Sequence, residues 1–365
     1  MKLAYDMAPA DQARAIKHHE DAWGIHFPGA QMFCRPEYKQ NINVAMDAQP
    51  ALVTVPNSGV PAYLTFFMDP DILRVLTAPN EAAEIFGEKQ KGDWTSTTLI
   101  FPVVERTYEV SSYGDFNNNG RSGLNTNFPQ REAYLYQSVA EYGELEMERA
   151  GLAKIDWAGG VRKSAVITLD KFQNLTYFYG VQGLQNYGLL NSPDLSAPIA
   201  PAPKANGGLT WVNGTVINAT ANEIFADIQS MFIQLINQSS GLIDANSKMT
   251  LAMSPKSSGA LNTTNTFNVN VMDILKKNYP NMTVKTAVQY GALTTQNPQG
   301  SAGGEIIQLI AEEVEGQKTG YCAFNEKLRA GPVIREMSAF KQKLTQGTWG
   351  AVIRIPYAIS QMIGV

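Results

Sequence analysis

The clearest hydrophobic pattern in the chain covers residues 156–179, where apolar positions recur every three or four residues. This stripe consists of Val161, Ala165, Leu169, Phe172, Thr176 and Tyr179. The polar residues Arg162, Lys163, Asp170, Lys171, Gln173 and Asn174 fall largely elsewhere on the helical wheel, as in an amphipathic helix. Asp156 suits the N-cap, because its carboxylate can accept hydrogen bonds from the first-turn amides. About 23 helical residues predict a rod roughly 35 Å long, which suits an extended subunit.

Two segments flank this helix. A short helix with acidic residues first and basic residues last is predicted over residues 144–149, and Gly151 is expected to end it. After the long helix comes an aromatic and glycine-rich stretch, residues 177–193, which closes with Gly188-Leu189-Leu190-Asn191-Ser192-Pro193. Glycine and proline at these positions predict a turn out of the helix.

Between residues 95 and 139 the pattern changes to a period of two, which is typical of strands. The first extended run contains Thr98, Ile100, Val103, Glu105, Thr107, Glu109 and Ser111; the second contains Phe128, Arg131, Ala133, Leu135, Gln137 and Val139. The loop between them includes Asn118-Asn119-Gly120, and these residue types tolerate the positive φ of hairpin turns. A solitary hairpin is marginally stable in water. We therefore predict a long two-stranded protrusion held by something outside itself; a mobile surface loop is the alternative.

Prolines punctuate roughly the first ninety residues, and no apolar period persists there before Asp69. A short helix is predicted to begin at Asp69-Pro70 and, after Pro79, to resume over residues 80–86. A segment without a core of its own needs another surface to lie on, so we predict an arm; in a protein shell, that surface would be the neighbouring subunit.

The pattern after residue 193 predicts alternating helices and strands. Thr220-Ala221-Asn222-Glu223 is a capping box that opens a helix expected to end near Gly241. The inward face of this helix consists of Ile224, Phe225, Ile228, Met231, Phe232 and Leu235. A second helix is predicted over residues 271–277, and strands over 249–253, 284–290, 306–314 and 320–324. This order indicates a sheet flanked by helices.

Composition and charge exclude several classes of protein. A chain of 365 residues with 44% hydrophobic content can bury a sizeable core. A net charge of -4 argues against a dedicated nucleic-acid binder with a basic surface. We expect no membrane association and no secretion, because neither a membrane-length apolar run nor a secretion signal is readable. Cys34 and Cys322 are expected to be free thiols.

Few residues in the sequence are candidates for catalysis or metal binding. The histidines are His18, His19 and His26, all within the predicted arm, and the common nucleophile and phosphate-binding motifs are missing from the sequence. Asp115, Asn117, Asn119 and Gly120 match the first half of a calcium-binding loop, but the glutamate at its twelfth position is missing. We predict a protein that is not an enzyme and that has no cofactor or metal.

Residues 318–354 are basic on balance. They contain Lys318, Lys327, Arg329, Arg335, Lys341, Lys343 and Arg354 against the acids Glu326 and Glu336. Two interpretations remain open: a solvated face, or contacts with Glu312, Glu313 and Glu315 of an adjacent subunit.

Seven segments carry a family resemblance: residues 51–62, 91–94, 101–105, 111–115, 148–151, 177–193 and 350–357. Together they resemble the major capsid proteins of tailed bacteriophages with the Hong Kong 97-type fold, in the branch that includes encapsulating-type proteins. The resemblance covers about residues 51–365 and implies an α+β fold. Its expected parts are an N-terminal arm, an extended hairpin loop, a peripheral domain with a spine helix, and an α/β axial domain.

The implied boundaries divide the whole chain. The arm would be residues 1–95, the extended loop 96–140, and the peripheral domain with its spine helix 141–190. The axial domain would be residues 191–320. Residues 321–365 would be the axial return and the C-terminal strand that joins the peripheral domain.

The resemblance also implies a function. The protein would be the major capsid protein of a tailed double-stranded DNA phage, made in the bacterial host cytoplasm and located in the virion, where hexamers and pentamers form an icosahedral head. Expected partners are other copies of itself, a portal, scaffold or decoration proteins, and packaged double-stranded DNA bound without sequence specificity. An encapsulin-type nanocompartment shell is the alternative.

Four residues of the predicted hairpin region are candidate intersubunit contacts: Asp115, Phe116, Arg121 and Arg131. The loop between the strands is polar and rich in glycine, so we expect it to lack internal order until it lies across another subunit. In that position Arg121 would meet a carboxylate.

Overall fold

The computed structural model describes residues 80–152 and 155–365, and all of these belong to one unit of the chain, Ala78–Val365. Several expectations therefore lie outside the described residues. They are the arm before residue 80, the helix start at Asp69-Pro70, Cys34 and the histidines.

Helices and strands follow one another in a mixed order. The helices are α1 (Ala82–Phe86), α2 (Glu144–Leu152), α3 (Trp157–Tyr179), α4 (Ala221–Gln238), α5 (Pro255–Ala260) and α6 (Val271–Asn278). The first strands are β1 (Glu88–Gln90), β2 (Thr98–Ile100), β3 (Val103–Tyr108), β4 (Ser122–Asn127), β5 (Gln130–Glu132), β6 (Tyr134–Gly143), β7 (Val212–Asn213) and β8 (Val216–Ile217). The others are β9 (Met249–Met253), β10 (Met282–Thr286), β11 (Ile306–Ala311), β12 (Glu313–Val314), β13 (Gln317–Lys318), β14 (Gly320–Glu336), β15 (Ala339–Ile353) and β16 (Ile359–Ile363).

The first large sheet has the strand order β1-β14-β15-β6. Strands β14 and β15 form a long antiparallel hairpin, β6 pairs antiparallel with β15, and β1 is parallel to β14. Helix α3 packs along β15 and β6. Between helix and sheet lies a small core of Ala140, Ala165, Leu169 and Leu344.

The structure confirms the long helix and its cap. The Asp156 carboxylate accepts a hydrogen bond from the Gly159 amide at 3.0 Å. The helix ends at Tyr179 and is followed by Gly180, whose φ of 65° favours glycine. The predicted apolar stripe is partly wrong, because Gln173 and Asn174 are buried while Phe172 is exposed. The cause is tertiary: the C-terminal half of the helix is covered on several sides.

Polar burial on α3 is compensated by hydrogen bonds. The Asn174 side-chain oxygen accepts from the backbone amide of Ala82 at 3.1 Å, which joins α3 to α1. Ala82, Ile85 and Phe86 of α1 are themselves buried in the core. Residues that the sequence placed in the arm therefore pack against the body of the subunit.

The second large sheet has the strand order β10-β9-β11-β16. Its two faces follow the alternation along β9, since Leu251 packs in the core beneath α4 and α6, whereas Ala252 packs with Phe178 at the end of α3. Helix α4 begins with the predicted capping box, in which Thr220 and Glu223 bond reciprocally. The expectation of a sheet with helices against it is confirmed.

The predicted second strand of the protrusion, residues 128–139, is wrong: β3 pairs with β4, whereas residues 128–139 contain β5, which pairs with β2, and the first part of β6, which pairs with β15. The polar loop residues 122–127 form the partner strand because the chain turns earlier than the period of two indicated.

Other predicted boundaries also differ from the structure. Helix α2 continues past Gly151 to Leu152, and the strand predicted over 284–290 is β10 followed by a short 3-10 helix, Val288–Tyr290. The strand predicted over 306–314 is divided into β11 and β12. The strand predicted over 320–324 extends to Glu336 as β14.

The distal half of the β14–β15 hairpin escaped prediction for two physical reasons. Most residues in the second half of β14 are exposed, and register shifts interrupt the ladder, so no period of two is readable. The turn is at Met337, which has a φ of 50° without being glycine or asparagine.

Candidate assembly surface

Strands β3 and β4 form a two-stranded ribbon that pairs with no other described strand. Its antiparallel register runs from Val103 opposite Asn127 to Tyr108 opposite Ser122. Every residue of both strands is exposed. The ribbon therefore has no core of its own within the described part of the subunit.

Large apolar side chains line this ribbon and its flanks. They are Val103, Val104, Tyr108, Val110, Tyr113, Phe116, Leu124 and Phe128, all exposed. A two-stranded hairpin gains little stability alone, and contiguous exposed apolar surface on an ordered element marks an interaction site. The ribbon is suited to lie against another protein surface.

The loop at the end of the ribbon is ordered by its own hydrogen bonds. Asn117 donates through its side-chain amide to the Ser112 carbonyl at 2.8 Å and accepts from the Asn119 amide at 3.1 Å. Gly120 has a φ of 88°, which the turn requires. The expectation that this loop lacks internal order is wrong, because asparagine side chains replace the missing backbone pairs.

Three of the candidate contact residues lie in this loop. The Asp115 carboxylate accepts a hydrogen bond from the Tyr113 hydroxyl at 2.8 Å. Phe116 is fully exposed. Arg121 is exposed immediately before β4, and its carbonyl accepts from the Glu109 amide at 2.9 Å. The loop thus presents an aromatic ring and charges of both signs to the exterior.

The fourth candidate, Arg131, lies elsewhere and is buried. Its guanidinium donates to the Asp194 carboxylate at 3.2 Å and lies over the Tyr187 ring, 4.9 Å from the centroid, and near Phe101, 5.9 Å from the centroid. These contacts connect the base of the ribbon to the segment after α3. Arg131 is therefore engaged within its own subunit. Its isolated position in an alternating strand gave no sign of this.

Within the described part of the chain, three of the seven basic residues in 318–354 have ion-pair partners. Lys327 pairs with Glu88, and Arg335 pairs with Glu144 at 3.2 Å. Lys341 pairs with Glu336 at 2.8 Å and with Glu141 at 3.5 Å. The Glu336 hydrogen bond, followed by the charge of Glu141, raises the pKa of Lys341. These carboxylates differ from the intersubunit acids that the sequence suggested.

A second exposed apolar group lies around the start of α3 and the distal end of the long hairpin. It contains Leu145, Leu152, Ile155, Trp157, Val333, Ile334 and Met337. Sequence reasoning missed it because the hairpin itself was not predicted.

Buried titratable groups in the core have structural roles. The Tyr177 hydroxyl donates to the Glu88 carboxylate at 2.9 Å. Burial, as the largest cause, raises the pKa of Tyr177. Burial also raises the pKa of the Cys322 thiol and raises the pKa of Tyr179 to about 12. These groups stay protonated near neutrality. Over residues 80–152 and 155–365, no three or more His, Cys, Asp or Glu side chains are grouped to hold a metal ion.

Comparison with known proteins identifies one family and several solved structures that share one fold. The family model described as Pa193 gp26 major capsid protein matches residues 51–364. The curated proteins contain no match. None of the helices in the described residues is long and apolar enough to span a membrane.

Solved capsids share the fold at low sequence identity. The capsid of Myoviridae phage XM1 is similar with a TM-score of 0.69 at 12% identity, over 85% of this chain and 100% of that chain. A structure of Mycobacterium phage Ogopogo has a TM-score of 0.55 at 9% identity, over 82% and 96%. The capsid of a native GTA particle has a TM-score of 0.53 at 11% identity, over 87% and 99%.

Proposed function

The chain belongs to the Pa193 gp26 major capsid protein family, and from this membership we propose that its copies join as hexamers and pentamers into the icosahedral head of a tailed double-stranded DNA phage. The family is one of structural shell proteins and places the chain in the virion. The fold is the Hong Kong 97-like α+β fold shared with phage capsids. Synthesis would take place in the bacterial host cytoplasm.

The uncovered ribbon of β3 and β4 is the observation that supports assembly most directly. Its apolar side chains face solvent in the single subunit, and burying them against a neighbouring copy would release water from that surface. Because the loop at its end is already ordered, docking costs less conformational entropy than a disordered loop would. We propose that Asp115, Phe116 and Arg121 contact the neighbour there.

We propose the same division into domains as the sequence suggests, with one change to the arm. The extended loop, residues 96–140, contains the β3–β4 ribbon; the peripheral domain, 141–190, contains α3; and the axial domain, 191–320, contains most of the second sheet. Residues 321–365 carry β15 and β16. We limit the proposed arm to residues before Asn80, because α1 and β1 pack into the subunit body.

Packaged DNA is proposed as a partner held without sequence specificity. A net charge of -4 supports weak contact with phosphates. A portal and scaffold or decoration proteins are further expected partners. An encapsulin-type compartment is less supported, because the matching family model is a major capsid protein.

Electron microscopy of the purified protein tests assembly. We expect closed shells, and isolated particles that contain double-stranded DNA would distinguish a virus from a compartment that packages enzymes. Subunits that remain unassembled under all solution conditions would contradict the proposal.

Arg121→Glu tests the ribbon, and Arg121→Lys is the matched control that keeps the charge. The Glu variant is expected to reduce particle yield through like-charge contact. The yield of soluble subunits should stay the same, and their free energy of unfolding should change by less than about 0.5 kcal/mol. Undiminished particles with the Glu variant would mean that this residue makes no important contact.

A further inference from the structure

The loop between α5 and α6, residues 261–270, is built around one side chain. The Asn265 carboxamide oxygen accepts from the amides of Phe267 and Val269, at 2.9 Å and 3.1 Å. The Asn265 backbone also bonds to this turn, since its amide donates to the Val269 carbonyl at 2.9 Å and its carbonyl accepts from the Asn268 amide at 3.0 Å. One asparagine thus closes the turn with four hydrogen bonds.

The ends of this loop are fixed as well. Leu261 and Val271 are both fully buried in the core beneath α4. Asn270 caps α6 by accepting from the Asp273 amide at 2.8 Å, and Asn268 adopts the left-handed conformation with a φ of 57°, which asparagine tolerates better than most residues. The tip is therefore held rigidly on the body of the subunit.

At this tip Phe267 points into solvent with 85% of its surface exposed, and Val269 is exposed beside it. Nothing in the loop's own hydrogen bonding needs an aromatic ring at this position, because only backbone atoms of residue 267 take part. A large apolar side chain on a preorganised turn loses little entropy when it is buried by a partner. Such side chains are typical anchors at the centres of protein interfaces.

The charge pattern indicates what the partner is. No charged residue lies between Lys256 and Asp273, so this part of the loop has neither a cation for phosphate nor an ion to pair with a charged partner. When copies of one chain meet through the same region, like charges would repel. A neutral Asn- and Thr-rich rim around an aromatic tip avoids that repulsion.

We propose that the tip around Phe267 is an intersubunit contact in which the ring is buried by a second copy of this chain. The contact is separate from the β3–β4 ribbon and is presented from the second sheet's helical layer. It rests on the proposed shell function, because it needs many copies brought together. Asn265 is its positioning residue.

Three variants test the contact through assembly. Phe267→Ser removes the ring, Phe267→Leu retains an apolar side chain, and Asn265→Ala removes the side-chain bonds that hold the turn. We expect Phe267→Ser to raise the protein concentration needed for half-maximal shell formation by about tenfold or more. Phe267→Leu should change it much less, and Asn265→Ala should fall between. The thermal unfolding of unassembled subunits should stay unchanged for both Phe267 variants.

Photo-crosslinking identifies the neighbour directly. With p-benzoylphenylalanine in place of Phe267, irradiated shells should give a product of twice the chain mass that joins this position to a second copy. Crosslinks only to DNA or to a different protein, or the absence of a dimeric product, would overturn the proposal even if a variant misfolds.

Different results would refute the proposed shell function and the proposed Phe267 contact. If the unaltered protein forms no shells, the proposed function fails. If it forms shells and Phe267→Ser assembles at the same concentration, the shell function stands and only the Phe267 contact is refuted.

Discussion

Truncating Arg131 to alanine tests whether this residue acts within the subunit or between subunits. Its guanidinium is buried between the base of the ribbon and the segment after α3, where it donates to Asp194 and lies over the Tyr187 ring. The same guanidinium also donates to the carbonyl of Gln130 at 3.3 Å. The variant removes all of these contacts and leaves a space between two aromatic rings.

The size of the effect follows from two contributions and two features that reduce them. A hydrogen bond to a charged group contributes about 1.5–3 kcal/mol, and the cation–π contact adds about 0.5–1 kcal/mol. Two features reduce the sum. The Asp194 side chain is half exposed, so water can replace part of the pair. The buried Nε of Arg131 has no hydrogen-bond partner among the residues that the structure describes. We expect Arg131→Ala to destabilise the subunit by about 2–3 kcal/mol.

Urea unfolding of unassembled subunits measures this loss. The midpoint should fall without a change in slope, and the loss should be independent of protein concentration, because no second copy is involved. Arg131→Lys is the matched control, expected to recover part of the stability since it keeps a charge but not the planar contact. A change below about 0.5 kcal/mol together with poor shell formation would refute the reasoning and return Arg131 to an intersubunit role.

The remaining predictions concern backbone fit and helix capping. Gly188→Ala should destabilise the subunit by about 3 kcal/mol or more, since its new Cβ would lie 2.2 Å from the Phe178 carbonyl; Gly160→Ala, which has open space, should be neutral or stabilising in the same thermal melts. Thr220→Ala should cost about 1 kcal/mol in urea unfolding. The Thr220 amide, as the largest cause, lowers the pKa of Glu223, so the stability from this carboxylate is present above its unfolded pKa and is lost as pH falls through the folded value. Glu223→Gln should therefore flatten the acid limb of the stability profile, and an unchanged limb would contradict this.

Local structure was predictable wherever the residues that determine it lie close together in the sequence. The Asp156 cap, the capping box at Thr220 and the buried strand β9 all follow from residue types a few positions apart. Hydrogen bonds that close within one turn, and side chains that alternate across one strand, depend little on distant residues. These elements appear where the sequence placed them.

Long-range packing was not predictable in the same way. The burial of Asn174 depends on the Ala82 amide, 92 positions away along the chain. The burial of the Arg131 side chain depends on its ion pair with Asp194. A single strand with one arginine looks the same whether that arginine meets solvent, another subunit or its own chain. Periodicity reports which face of an element is apolar, but not which element covers it.

The places where local rules and packing disagree are themselves informative. A sequence that folds alone usually buries its large apolar residues, and exceptions concentrate where function requires them. Here the exceptions are ordered elements: the β3–β4 ribbon, the distal end of the long hairpin and the tip at Phe267. Each is held firmly by its own hydrogen bonds and yet leaves aromatic or aliphatic side chains in water. Exposing apolar side chains on an ordered element is unfavourable for a single subunit but becomes favourable when a neighbouring copy buries them. These three surfaces are therefore the places where the structure of one copy indicates contacts with its neighbours.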